Sequence, residues 1–400
     1  MKLKLKNTPE QVELIKAMGS SDQTVAREAS EAFAAFLGPV IHKVLMTAGT
    51  ASTIYSDSEF DEDDSPSYPL DLYYGDAPGH VSVWSQSVAG GLATSHVEGM
   101  QEIKIATYRL DSAVSFLKRY ARRARLDVVS KAIERMAQEV LIKQERNAWA
   151  VILKALAEGV TGTTDTSGTL NVLDHVARGS GSGTLMLADM NKLMTLNKRM
   201  NESFSGHTPV APFSTGITDM YISPERVEDI RAFAYNPVNH AGNAATFSGK
   251  EHQDQDVPDS VRESIWSSAG MASLWGVNLV EMVELGQNKK YNFLFNEQSK
   301  TSGHAANALT LDGSDKSFDG FSGAGSAAVF NDTAEEILIG IDNSRGSFIR
   351  PVARQADSGG SFSALPDDQW VTRSEKTGFY GWLEEGRICI DARAIVGVIV

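Results

Sequence analysis

The chain of 400 residues has one cysteine, Cys389, so an internal disulfide and a multi-cysteine metal centre are both excluded. Cys389 falls in an apolar stretch, where a thiol is an inert small filler. No apolar run reaches the roughly 18 residues that span a bilayer. The opening MKLKLKNTPEQ has neither an apolar core nor a small-residue cleavage site, so it is not a secretory signal, and a cytosolic product is expected. Basic charge is scarce, with 37 Lys and Arg against 51 Asp and Glu, net −14, which argues against coating nucleic-acid phosphates. Catalytic signatures are missing too. Gly249-Lys250 lacks both the upstream glycine and the following Ser or Thr of a phosphate loop. Gly323–Ala328 fits a dinucleotide glycine pattern loosely but follows a polar loop instead of a strand. No histidine pair has helical spacing beside a Glu, and no Gly-x-Ser-x-Gly elbow occurs. His252 with Glu251, Asp254 and Asp256 is the nearest approach to a ligand set, and in a polar loop such groups are solvated. The acids between Asp57 and Asp64 lack the alternating ligand and glycine pattern of a calcium loop. Neither a metal nor a cofactor is expected.

What remains is ordinary globular composition, 42% hydrophobic and 22% charged, at a length suited to two or three compact units of roughly 150 residues. No period of 20–50 residues recurs, which excludes solenoids and propellers. The charge is uneven: net −7 over residues 1–77, +4 over 78–160, −11 over 161–344 and zero over 345–400. A basic belt between acidic segments suits binding between copies of one chain.

Along the chain, Pro9 opens a helix over Glu10–Met18 that Gly19 closes. Asp22 caps a second helix over Val25–Leu37, with Ala29, Ala32, Phe33, Phe36 and Leu37 on one face and Gly38-Pro39 as its stop. A short piece, Val40–Met46, follows. Residues 56–79, rich in acid, Pro and Ser, read as a solvated extended arm. Val81–Val88 and Gln101–Tyr108 alternate as strands, with Gly90, Gly91 and Gly99 between them, and so form a long hairpin that must lie on something else. Lys118, Arg119, Arg122, Arg123 and Arg125 make a dense basic run. Leu126–Leu156 then repeats apolar residues at Val129, Ile133, Met136, Val140, Ala148, Val151 and Ala155, a helix of roughly 45 Å. After a Gly, Ser and Thr-rich stretch at 161–183, a helix is expected over Leu185–Met200, a strand at Met220–Ile222 and a helix over Pro224–Tyr235. Gly242–Asp259 and Glu297–Gly325 read as loops. Strands are expected at Trp275–Val283, Tyr291–Phe295, Glu335–Asp342 and Arg387–Val400, with Ile395–Val400 apolar enough to be covered on both faces.

This order resembles the major capsid proteins of tailed bacteriophages, the Hong Kong 97-type capsid fold, over nearly the whole chain. The resemblance is carried by VWSQSVAGGLATSHVEG (83–99), the segment from Tyr108 to Leu156, MYISPERVEDIR (220–231) and TGFYGWLEEGRICIDARAIVGVIV (377–400). It implies an α+β (mixed α/β) chain: an N-terminal arm over 1–77, an extended hairpin loop over 78–110, a peripheral domain with a spine helix over 111–160, an axial domain over 161–344, and C-terminal strands over 345–400 completing the sheet. It implies a non-enzymatic subunit forming hexamers and pentamers of an icosahedral shell around double-stranded DNA, with virion location after assembly in the host cytoplasm. A separate scaffolding protein, a portal, and decoration proteins are the implied partners, with DNA held non-specifically and no membrane. Trp84, Val88, Gly90, Gly91, Arg119, Arg122, Arg123 and Arg125 are the candidate intersubunit contacts. Some such shells cross-link a loop lysine; residues 84–101 contain none, so non-covalent contacts are expected. The alternatives are an encapsulin-like nanocompartment shell of the same fold and, from another class, a hydrolase using His252.

Overall fold

The computed structural model describes residues 8–47, 49–61, 65–69, 102–123, 126–158, 175–179, 183–202, 216–235, 259–270, 273–299, 334–354, 362–367 and 375–400. In chain order the elements are helices α1 (Pro9–Met18) and α2 (Gln23–Thr47), strands β1 (Ser56–Asp61), β2 (Ser67–Pro69), β3 (Glu102–Lys104) and β4 (Tyr108–Leu117), and helices α3 (Lys118–Arg122) and α4 (Leu126–Glu158). They continue with β5 (Val176–Arg178), α5 (Leu187–Glu202), β6 (Asp219–Ile222), α6 (Pro224–Tyr235), α7 (Asp259–Ser267), β7 (Asn278–Glu281) and α8 (Lys290–Ser299). The chain closes with β8 (Ile337–Ile341), β9 (Phe348–Arg354), β10 (Phe362–Asp367), β11 (Lys376–Glu385), β12 (Ile388–Cys389) and β13 (Ile395–Ile399). The fold is mixed α+β. The chain divides into two compact units, the first made of Met1–Tyr68, Glu102–Ala148 and Phe348–Ile388, the second of Pro69–Gln101, Trp149–Ser347 and Cys389–Val400. The division falls inside α4.

In the first unit a six-stranded sheet runs β1-β9-β11-β10, with β12 beside β9 and β4 along β11. Residues 378–383 of β11 pair with both β10 and β4, so those two strands flank it on opposite sides. One face of this sheet is packed: Phe116, Phe379, Leu383, Phe362 and Val352 meet Phe33, Leu37 and Ile41 of α2 and Val129, Ile133, Met136 and Val140 of α4. Gly381 makes the close approach possible, since a Cβ there would sit 2.3 Å from Phe362 Cζ and 2.9 Å from Met136 Cε.

In the second unit a five-stranded sheet runs β5-β13-β8-β6-β7. Every residue of β8 and β13 is buried, and β13 pairs with β5 on one side and β8 on the other. Met220, Ile222, Leu338, Val396 and Val398 face α5, α6 and α7. On the opposite face, Trp149 meets Tyr221 at 4.9 Å and Tyr291 of α8 at 5.8 Å, ring centre to ring centre. The expected double covering of the C-terminal strand is therefore present.

Several expectations need correction. The second helix does not stop at Gly38-Pro39 but runs on to Thr47, because proline removes only one backbone bond while Ile41 beyond it is fully buried. Its packed face includes Ala29, Phe33 and Leu37, but Phe36 is 52% exposed and Ala32 is exposed. The N-terminal helices are not an unpacked arm: Ile15, Met18 and Phe33 belong to the chain's own core. Within residues 56–79, Ser56–Asp61 is a strand hydrogen-bonded to β9 and not a free arm, though Ser56, Asp57, Glu59 and Asp61 stay exposed. Strand β3 pairs with β2, whereas Val81–Val88 lies outside the described residues. Tyr291–Phe295 is helical; all of Tyr291–Gln298 is buried, which erases the polar face that signals a helix. The strand expected over Trp275–Val283 shortens to β7, with Trp275 in a turn at φ 53°. Helix α7 was not anticipated.

Candidate assembly surfaces

On the sheet face of the first unit that no described helix covers, alternation along β4 and β11 turns Arg109, Asp111, Tyr380 and Trp382 outward together. Asp111 sits opposite Trp382, and Ala113 opposite Tyr380, which in turn faces Leu365 of β10. The Arg109 guanidinium lies 4.8 Å from the Trp382 ring centre and 5.9 Å from that of Tyr380. Arg109 Nε donates to Asp111 Oδ1 at 2.7 Å, Arg109 Nη2 donates to the Tyr380 hydroxyl at 2.9 Å, and that hydroxyl donates to Asp111 Oδ1 at 2.7 Å. Burial works against the Asp111 carboxylate, but the bonds from Tyr380 and Arg109 outweigh it and hold its pKa below the ordinary value. The same bond to Asp111, and then burial, raises the Tyr380 phenol. Leu365 beside this cluster is 50% exposed. The result is a pre-ordered aromatic and charged patch of the kind that anchors protein contacts.

Beneath it lies a buried polar junction. Glu385, fully buried, accepts from the Tyr108 hydroxyl at 2.9 Å and from Gln144 Nε2 at 3.0 Å, and pairs with Arg387 at 3.3 Å. Arg387 stacks 4.8 Å from the Tyr55 ring centre, and the Tyr55 hydroxyl donates to the Ala148 carbonyl at 3.0 Å. Burial first, and the Glu385 carboxylate second, push the Tyr108 phenol well above its usual pKa. The junction ties together the chain after α2, the start of β4, the middle of α4 and the end of β11. Glu145 adds a further tie, accepting from Thr50 Oγ1 at 2.9 Å and the Ala51 backbone N–H at 3.1 Å.

The second unit has its own junction. Arg226 donates to the Gly183 carbonyl and to Asp229, both at 2.7 Å, and to Glu336 at 3.2 Å, while Ser223 donates to Glu336. Asp229 also accepts from the Leu185 backbone N–H at 2.9 Å. These groups hold the starts of α5 and α6 to β8 through mutual hydrogen bonds and ion pairs, as structural groups do.

The basic run separates into different roles. Lys118 is buried, with its backbone N–H bonded to the Glu375 carbonyl at 2.7 Å. Arg122 Nε donates to the Gly19 carbonyl at 2.7 Å, closing the end of α1. Arg119 stacks on Tyr120 at 5.1 Å, and Arg119 and Arg123 are exposed. Arg125, Trp84, Val88, Gly90 and Gly91 lie outside the described residues, as do Gly249-Lys250, Gly323–Ala328 and the His252 cluster. The acid segment meets its own chain through a residue that sequence reasoning missed: Arg350 of β9 grips both oxygens of Asp57 at 2.6 and 2.7 Å. Cys389 is half-buried. Among the described residues no group of three or more His, Cys, Asp or Glu could hold a metal ion, and no helix is long and apolar enough to cross a membrane.

No protein-family model matches the chain, and no curated protein does. Solved structures with a similar chain path include the capsid of the Cyanophage P-SCSP1u, 11% identical over 86% of each chain with a TM-score of 0.45. The capsid of an empty GTA particle is 12% identical over 88% of this chain and 90% of that one, TM-score 0.43. The holo-SrpI encapsulin complex from Synechococcus elongatus PCC 7942 is 9% identical over 88% of each chain, TM-score 0.37. At these scores the likenesses are distant.

Proposed function

We propose that the chain is a shell-forming structural protein, a major capsid protein of the Hong Kong 97 type, whose copies build the hexamers and pentamers of a tailed-phage head around double-stranded DNA. One observation carries this reading: the order of the elements. An N-terminal helical arm ends as a strand in the same sheet as the C-terminal β9 and β11. A ten-residue strand turns through a basic corner into a 33-residue helix, and a second α/β unit is closed by the last strand of the chain. That order supports the reading. On this reading the first unit serves as the peripheral domain and the second as the axial domain, with residues 78–110 as the extended loop.

Physical chemistry supports the same role. A sheet with one uncovered face, bearing an ordered aromatic patch, gains stability when a neighbour covers it. Many modest contacts repeated over a closed lattice give a robust shell without any one being tight. The net charge of −14 keeps an inner wall from trapping packaged DNA. The role is structural, and the other partners are a scaffolding protein, a portal and decoration proteins.

Electron microscopy of the expressed chain tests the reading. Closed particles of uniform size, with nuclease-protected DNA in those recovered from virions, are expected. Particles that enclose only a protein cargo would reassign the chain to a nanocompartment shell, and a monodisperse monomer or dimer under all conditions would overturn both.

A further inference from the structure

Among the described residues, strands β1, β4 and β10 of the first unit's sheet are each paired on one side only, and β1 and β4 make an unlike pair. β4 is hydrogen-bonded along its full length to β11, and among the described residues no strand pairs with its other side. β1, beyond β9, is likewise paired on one side only. β1 is parallel to β9, β9 is antiparallel to β11, and β11 is antiparallel to β4, so β1 and β4 run in the same direction. Open edges of this kind are templates for strand addition unless something covers them.

The edges also differ in charge. On β1, Asp61 is exposed and Glu59 is met by Arg354 at 4.0 Å, with both side chains mostly in solvent. Glu62, Asp63 and Asp64 follow in the sequence. β4 leads directly into the corner bearing Arg119, Arg122 and Arg123, none of which has an ion-pair partner among the described residues. The acidic strand that a basic edge requires is thus present on every copy of the chain.

We propose that the sheets of neighbouring copies join head to tail, with the acidic β1 edge of one copy beside the basic-ended β4 edge of the next; this rests on the shell reading. Because the two strands run in the same direction, simple translation makes them parallel neighbours. Charge selects the register. Within one copy Glu59 is level with Val352, Val352 with Glu385, and Glu385 with Tyr108, so Asp61 is level with Leu110. A shift of about seven residues, roughly 23 Å at 3.3 Å per residue, sets Ser56–Asp61 alongside Ser112–Leu117 and brings Asp61 to the mouth of the arginine corner. A contact between unlike edges is heterologous: it propagates from copy to copy and closes into a ring when the rotation fits.

Charge exchange tests the contact. Arg122 is left intact because it closes α1. R119E/R123E and E59K/D61K should each stay folded by circular dichroism and lower the yield of closed particles about tenfold, the equivalent of roughly 1.4 kcal/mol. The quadruple variant, which restores opposite charge with the signs reversed, should recover most of that yield. Wild-type assembly should weaken as salt rises. Double variants that assemble at the wild-type yield, or a quadruple variant no better than either double, would overturn the contact. If R119E/R123E fails to fold, E59K/D61K, on an exposed edge, decides alone. Wild-type chains that form no particles in any salt would overturn the shell reading itself, a result distinct from wild-type particles with indifferent variants.

Discussion

The two sheets of this molecule are built from similar strands yet are finished differently. In the second unit, helices cover both faces, and β8 and β13 are buried at every position. In the first unit, α2 and α4 cover one face, while the other carries Arg109, Asp111, Tyr380 and Trp382 in partial contact with solvent. A sheet covered twice has completed its burial within the chain. A sheet covered once among the described residues, with edge strands paired on one side only, retains apolar surface and backbone groups that a neighbour can take up. Among the described residues the second unit thus buries its sheet on both faces, and the first leaves one face and its edges exposed.

The largest expected effect breaks the doubly covered side. Trp149 has no exposed surface and touches Tyr221 and Tyr291. Trp149→Ala should cost about 3–5 kcal/mol, read as a shifted midpoint in urea unfolding. A loss below 1 kcal/mol would mean that this face is less well filled than its burial indicates.

Next comes the packed face of the first unit. Met136, 3% exposed, lies against Gly381 on β11. Met136→Ala should cost about 2–5 kcal/mol, toward the lower end because a flexible thioether leaves a cavity that neighbours can partly refill. Unchanged thermal stability and unchanged particle yield would show that the helix presents another face to the sheet.

How much of this contrast was legible in the sequence follows from the same burial. Helices with one wet face announce themselves, so α4, α5 and α6 stand where their periods and caps place them, and Asp22 does accept the Thr24 backbone N–H at 3.1 Å as a cap. α8, with no wet face, passes for a strand. β9 was invisible for another reason: Pro351 and two arginines argue against a buried strand, yet Arg350 is paired with Asp57 almost 300 positions away. The patch on the outer face was equally hidden. Arg109 and Asp111 are 271 and 269 positions from Tyr380, and only the pairing of β4 with β11 joins them. Segment charge indicated that a basic corner and an acidic strand exist. It could not show that Lys118 and Arg122 belong to the monomer's own architecture while Arg119 and Arg123 remain exposed.

On the open face, substitution should separate stability from assembly. Leu365→Ser changes a half-exposed side chain and should shift unfolding by no more than about 0.5 kcal/mol. Particle yield should fall if a neighbour covers this face. A stability loss comparable to that of Met136→Ala would mean that the face is packed within the monomer, and the contrast between the units would disappear.

The smallest effect is one of pH. Asp111 is ionised more readily in the folded chain than in the unfolded one, because the hydrogen bonds from Tyr380 and Arg109 outweigh the cost of its burial. A depressed carboxylate contributes stability that is fully present above the unfolded value near 4 and is lost as pH falls through the lower folded value. Both Arg109 and Asp111 are about half exposed, so solvent screening limits the contribution to under about 1 kcal/mol. Asp111→Asn should therefore be slightly less stable than wild type at neutral pH, and the gap should narrow as the pH drops below the ordinary carboxylate range. Arg109 would still stack on Trp382 in the variant, which keeps the loss partial. A gap that widens in acid would mean that the carboxyl is held in its protonated form in the folded chain, and that the patch is assembled around a neutral Asp111 instead of an ion pair.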